Sequence, residues 1–262
     1  MANPHPSRKY NWSSTPLALI PTPLHLTSSK DPYTHAATEI ALVHNALIRA
    51  LNTIYLQAPF IPSQLYDPFV AYSLACYQCV SAHYSGEQTF LFPELERLTG
   101  ETGLMGRDVE QHTMLHLGVK TWGHWLESVV ARRNSFSPDM CRSLMDDFLP
   151  AIHRYLTDRI SALLELSRFG NKIDIRALSK TEGENVVKGL SRTTQLPALL
   201  LNHDSGFEGG VHRLPPVPGV VEWLLRRVCM RRKREWWRFA SCGIDGRGRR
   251  LKFGGDVSGR LS

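Results

Sequence analysis

Among the metal-ligating side-chain types of the first 160 residues, seven fall near the middles of expected helices. His83 and Glu87 stand four apart in HYSGE, His112 and His116 four apart in HTMLH, and His153 and Asp158 five apart in HRYLTD. His44 stands alone in ALVHNAL. Residues four apart on an α-helix share a face, about 6 Å apart along its axis, so each such pair can reach one centre. A five-residue step turns about 140° away from a shared face. A bend at Pro150 and the reach of a carboxylate can still bring Asp158 to the same cluster. Burying so many imidazoles and carboxylates without a partner is costly, and a metal offsets that cost. Nitrogen and carboxylate donors without thiolate suit iron, zinc or manganese. Five neutral imidazoles and two carboxylates can serve two ions, with the carboxylates bridging. One four-coordinate structural zinc requires fewer histidines than this.

Helices must bring these residues together. The first follows Asp31 as N-cap and Pro32 at the first helical position. Its Ile40, Val43, Leu47, Leu51 and Ile54 recur at steps of three and four, with His44 beside that stripe. The second runs from about Ser63 or Pro68 to Leu98, and Pro93 is expected to kink or end it. The third covers about Asp108 to Arg133. The fourth starts at Ser137 and Pro138, bends at Pro150 and runs to about Leu166. Four helices joined by short loops predict an all-α, up-down-up-down four-helix bundle over residues 31–170.

The flanks differ in character. Residues 1–30 are rich in Pro and Ser and read as a flexible tail or a strap lying on the fold. Residues 171–262 read as a basic, mostly irregular C-terminal extension packed on the bundle, with one short helix capped by Ser179. Trp223, Trp236 and Trp237 are its candidate anchors. The net charge of +7 is uneven. Residues 31–170 hold 10 Lys and Arg against 15 Asp and Glu, whereas residues 171–262 hold 18 against 9. The basic, tryptophan-bearing run RRVCMRRKREWWRF could meet nucleic acid or an anionic surface. A solvated helix face beside the acidic bundle is the plainer expectation.

No apolar run of about 18 residues suggests a transmembrane helix, and the N-terminus lacks the pattern of a secretory signal. Five scattered cysteines suit a reducing compartment, so a cytoplasmic location is expected. The absence of acidic residues before Asp31 leaves organelle targeting as an alternative. Cys76 and Cys79 form a CxxC with no second such pair, which fits buried packing better than zinc or thioredoxin chemistry.

The ligand pattern resembles the hemerythrin-like family of HHE cation-binding domains. The match rests on His44, HYSGE, HTMLH, HRYLTD and the LFPELE that follows Glu87. It covers about residues 31–170. Ferritin-like bundles, by contrast, use Glu-x-x-His at i, i+3. The resemblance implies a non-haem di-iron centre in which His112, His116 and His153 hold one iron and His44 and His83 the other. Glu87 and Asp158 would bridge them. Many relatives carry paired HH and EE around the second helix, where this chain has Ala82 and Gln88. Cys79 and His124 are candidates for the outer shell that tunes such a site.

The expected function is a di-iron protein that binds a small ligand, dioxygen first, for sensing, storage or carriage rather than catalysis. Two alternatives stay open. One is an oxidoreductase acting on peroxide or nitric oxide. The other is an iron-buffering or regulatory module that docks a protein partner through the basic extension.

Overall fold

A computed structural model describes residues 15–104, 106–212, 231 and 233–254, and of residues 106–114 the backbone alone. Among the described residues the chain is all helical, with no strand and a single isolated bridge between Cys242 and Gly248. Helix α1 spans Pro23–Thr27, α2 Pro32–Gln57, α3 Tyr66–Gly86, α4 Phe92–Thr99, α5 Gly106–Val130, α6 Pro138–Asp146 and α7 Leu149–Glu165. Helix α8 spans Ile175–Gly189, α9 Gln195–Leu200, and a short helix covers Arg234–Trp237.

α2 packs against α1, α3, α6, α7, α8 and α9. Asp31 caps it by accepting from the Tyr33 and Thr34 amides at 2.9 and 3.0 Å, and Pro32 begins it. Most of its 26 residues are buried, which happens when neighbours cover more than one face. It lies against α3 and α7, and α5 in turn lies against α3 and α7. α3 meets α5 closely at Gly123, where a Cβ would overlap the Tyr77 ring.

The second expected helix contains a defect that the sequence marks with Pro93. Between α3 and α4 the chain makes a π-turn over Glu87–Leu91 and then continues as helix. Proline has no N–H, and its ring crowds the carbonyl four residues earlier; a wider turn accommodates both without ending the helix. Glu87 opens that turn. The fourth expected helix is two. α6 begins as expected, with the Ser137 hydroxyl accepting from the Met140 amide at 3.2 Å, but the chain breaks at Asp147 and Phe148. Pro150 stands in the first turn of α7, where a missing N–H costs nothing.

Both flanks carry more order than their composition suggests. Leu17 and Ile20 lie in a strap held against α2 by Asn52 and Asn45. In the extension, α8 starts at Asp174, whose side chain accepts from the Ala177 amide at 3.0 Å. The expected cap, Ser179, lies inside this helix. α8 and α9 pack on α2 and α3. Their apolar signal is weak because α8 buries only Ile175, Leu178 and Glu182, and α9 is too short to show a period. Trp237 is buried and Trp236 half-buried. Trp223 and, in the basic run, residues 226–230 and 232 lie outside the described residues. Among the described residues, no helix is long and apolar enough to cross a membrane.

Candidate metal centre

Three of the seven expected ligands converge. His44 from the middle of α2, His83 from the last turn of α3 and Glu87 from the π-turn are 0, 6 and 1 % exposed. One donor atom from each lies within 4.8 Å of the others. The His44 Nε2 stands 3.0 Å from His83 Nε2, and His83 Nε2 stands 3.8 Å from Glu87 Oε1. The two imidazole rings meet edge to face with centroids 4.9 Å apart.

The tautomer of His44 follows from its other nitrogen. Nδ1 lies 2.8 Å from the Leu156 carbonyl, which can only accept. Nδ1 therefore carries the proton, and the Nε2 of a neutral ring offers a lone pair toward His83 and Glu87. A ring nitrogen tied to a backbone carbonyl, with the opposite nitrogen aimed at a shared point, is the usual arrangement of a metal-ligating histidine. Burial, followed by the nearby His83, holds His44 down to about 3. Burial also lowers His83. Both rings are thus neutral near pH 7, the form that ligates.

Glu87 is ionised. Burial would raise its carboxyl, but the Arg159 guanidinium and the Tyr155 hydroxyl beside it hold it below the ordinary carboxylate range. Arg159, 1 % exposed, donates from Nε to Glu87 Oε1 at 3.0 Å. The Tyr155 hydroxyl donates to Oε2. The guanidinium also stacks on Phe92, 4.4 Å from the ring centre, and Tyr155 packs on Tyr84 at 5.1 Å. These partners fix the carboxylate in one orientation, with Oε1 taking the Arg159 Nε and also facing His83 Nε2.

The other expected ligands stand elsewhere. His116 is exposed on α5, and the side chain of His112 lies outside the described set. His153 is half-buried and uses Nε2 on the Ala18 carbonyl of the strap at 2.9 Å. Asp158 is exposed and faces Arg154 at 3.5 Å. The buried stripe of α7 is Ile152, Tyr155, Leu156, Arg159, Ile160 and Leu163, so positions 153 and 158 point away from it. On α5 the described buried stripe is Leu115, Val119, Trp122, Leu126 and Val129, which leaves positions 116 and 124 outside. His124 is accordingly exposed. Cys79 is buried, but its thiol donates to the Gln195 carbonyl at 3.2 Å. Burial pushes that thiol up to about 12, away from the thiolate a metal would require.

Tyr155 and Arg159 are the site residues that ligand spacing missed. Tyr155 and Arg159 are i, i+4 neighbours on the apolar stripe of α7. A charge lying on such a stripe was the available signal.

No protein-family model matches the sequence, and no solved structure matches it. The chain is similar to dimeric xanthone biosynthesis cluster protein R11 from Cryptosporiopsis sp. (strain 8999), with 30 % identity over 219 residues. The aligned region covers 83 % of this chain and 82 % of that protein.

Proposed function

This chain belongs to the family of dimeric xanthone biosynthesis cluster protein R11, and from that premise we propose that it is a non-haem metalloprotein acting in a biosynthesis of that kind. Its centre holds one divalent ion, iron first, on His44 Nε2, His83 Nε2 and Glu87. The observation that carries this reading is the pair of neutral imidazoles converging with an ionised carboxylate, with His44 fixed from behind by Leu156. Two histidines and one carboxylate suit ferrous iron with open positions. Such an ion would supply one-electron chemistry and a place for a small ligand, dioxygen first.

The chain's own residues set the conditions. Leu156 keeps the His44 lone pair inward. Arg159 and Tyr155 hold the Glu87 carboxylate in one orientation and keep it ionised. Leu156, Tyr84 and Phe92, all nearly inaccessible and set against His44, His83 and Arg159, keep bulk water from these groups.

The hemerythrin-like reading is the second one, and the packing of α2, α3, α5 and α7 in a closed ring favours it. That ring supports a four-helix bundle with His44, His83 and Glu87 at family positions. A second ion has less support: His116 and Asp158 are exposed, and His153 is spent on the strap.

The test is metal content of protein purified anaerobically and reconstituted with ferrous iron. About one ion per chain is expected, lost in His44→Ala, since removing one of three protein ligands forfeits a tight site. About two ions per chain would favour the di-iron reading. No uptake, or uptake unaffected by His44→Ala, overturns the proposal.

A further inference from the structure

Helix α8 brings a second carboxyl toward the centre. Glu182 is 3 % exposed, and its Oε2 has no hydrogen-bond partner among the described residues. It approaches where α3 ends in Gly86, the residue before Glu87. A Cβ at Gly86 would stand 2.6 Å from Val186 Cγ2 and 3.8 Å from Glu182 Oε1, so the glycine is what lets α8 come this close. An unpartnered buried carboxyl oxygen is costly, and a fold that keeps one has a use for it or offsets it elsewhere. Burial first, then Glu87, raises the Glu182 carboxyl to about 8, while Arg159 opposes the shift.

Arg159 presents a conflict that Glu182 can resolve. Its Nε donates to Glu87 Oε1, the oxygen that faces His83 Nε2. An ion held by His44, His83 and Glu87 would claim that same oxygen. It would also add positive charge beside a guanidinium that is fully buried, where like charges interact strongly. We propose that Glu182 is a positioning residue that receives Arg159 when an ion occupies the centre, which frees Glu87 Oε1 for the ion. This inference rests on the metal reading above.

The experiment is a titration of the full chain with Co(II), followed by visible absorption. Glu182→Gln is expected to weaken uptake about tenfold, the scale for loss of an outer partner of a metal ligand. The absorption bands of the loaded variant stay where they are in wild type, because Glu182 is not a ligand. In an Arg159→Met background the same substitution is expected to change affinity by less than about twofold, because the group it serves has gone. Equal effects in both backgrounds, or a band shift in Glu182→Gln, would overturn the inference while leaving the metal reading intact. Should Arg159→Met fail to fold, Glu182→Asp decides. Recovery to within about threefold of wild type supports the role, and affinity as weak as that of Glu182→Gln overturns it. No Co(II) uptake by wild type removes the metal reading and this inference together.

Discussion

His44 and Asn45 are neighbours on α2, both fully buried and both polar, yet they treat their polar atoms in opposite ways. Asn45 closes on itself: its Oδ1 accepts from the Ile20 amide and its Nδ2 donates to the Ile20 carbonyl, both at 2.8 Å. Seven residues on, Asn52 does the same with Leu17 at 3.0 and 2.9 Å. Each asparagine thereby pairs with the strap as a neighbouring strand would. His44 spends one nitrogen on Leu156 and aims the other at a second imidazole beside a carboxylate. Reciprocal pairing is what a structural polar group needs. Convergence of several acceptors on one point is what a ligand needs. The strap side of α2 is therefore read as structure and the α3–α7 side as site.

The strongest test of that contrast is Glu87→Gln. It strips the buried Arg159 of its carboxylate, and breaking such a pair from one side costs about 3–5 kcal/mol. Urea unfolding should show that loss, together with loss of metal uptake. A variant as stable as wild type would mean that Glu87 and Arg159 are not the paired buried charges described here.

Asn45→Ala should have the next largest effect and a different signature. It leaves the amide and carbonyl of Ile20 without partners, and losing bonds to a buried pair of groups costs about 2–3 kcal/mol. Limited proteolysis should then cut the strap near residues 15–22 sooner than in wild type. Metal stoichiometry should stay unchanged. Loss of metal in Asn45→Ala would erase the distinction between the two sides of α2.

The same contrast explains what was legible in the sequence. His44, His83 and Glu87 could be read because a histidine on or beside an apolar stripe, four residues before a glutamate, is a local pattern. The caps Asp31 and Ser137 were local too, and both act as expected. His153 and Asp158 matched by residue type, but Ile152, Leu156, Ile160 and Leu163 define a buried face that passes between them. Weighting the stripe above the motif would have selected Tyr155 and Arg159. Glu182 was beyond reach for another reason. Its role depends on α8 crossing Gly86, a contact between residues nearly a hundred positions apart, and α8 buries too few apolar residues to announce itself. The break at Asp147 and Phe148 was hidden because Pro150 suits a helix start as well as a bend.

The smallest predicted effect concerns a closed network in solvent, at the start of the same helix. Asp31 accepts from the amides of Tyr33 and Thr34, and its side-chain bond to Thr34, then the backbone bond, hold it at about 2 against an ordinary 3.8. Asp31→Ala should cost about 1 kcal/mol at neutral pH, the usual worth of an N-cap. The folded value lies below the unfolded one, so between them the unfolded chain binds more protons and stability is lost as pH falls. The difference between wild type and Asp31→Ala should be fully present above 3.8 and shrink as pH falls through about 2. Salt should weaken it only slightly, because short hydrogen bonds to the first turn carry it rather than long-range charge. A difference that stayed constant from neutral pH down to 2 would show that the cap works through its shape alone. The ionised carboxylate would then contribute nothing, and even this exposed group would belong with Asn45 rather than with Glu87.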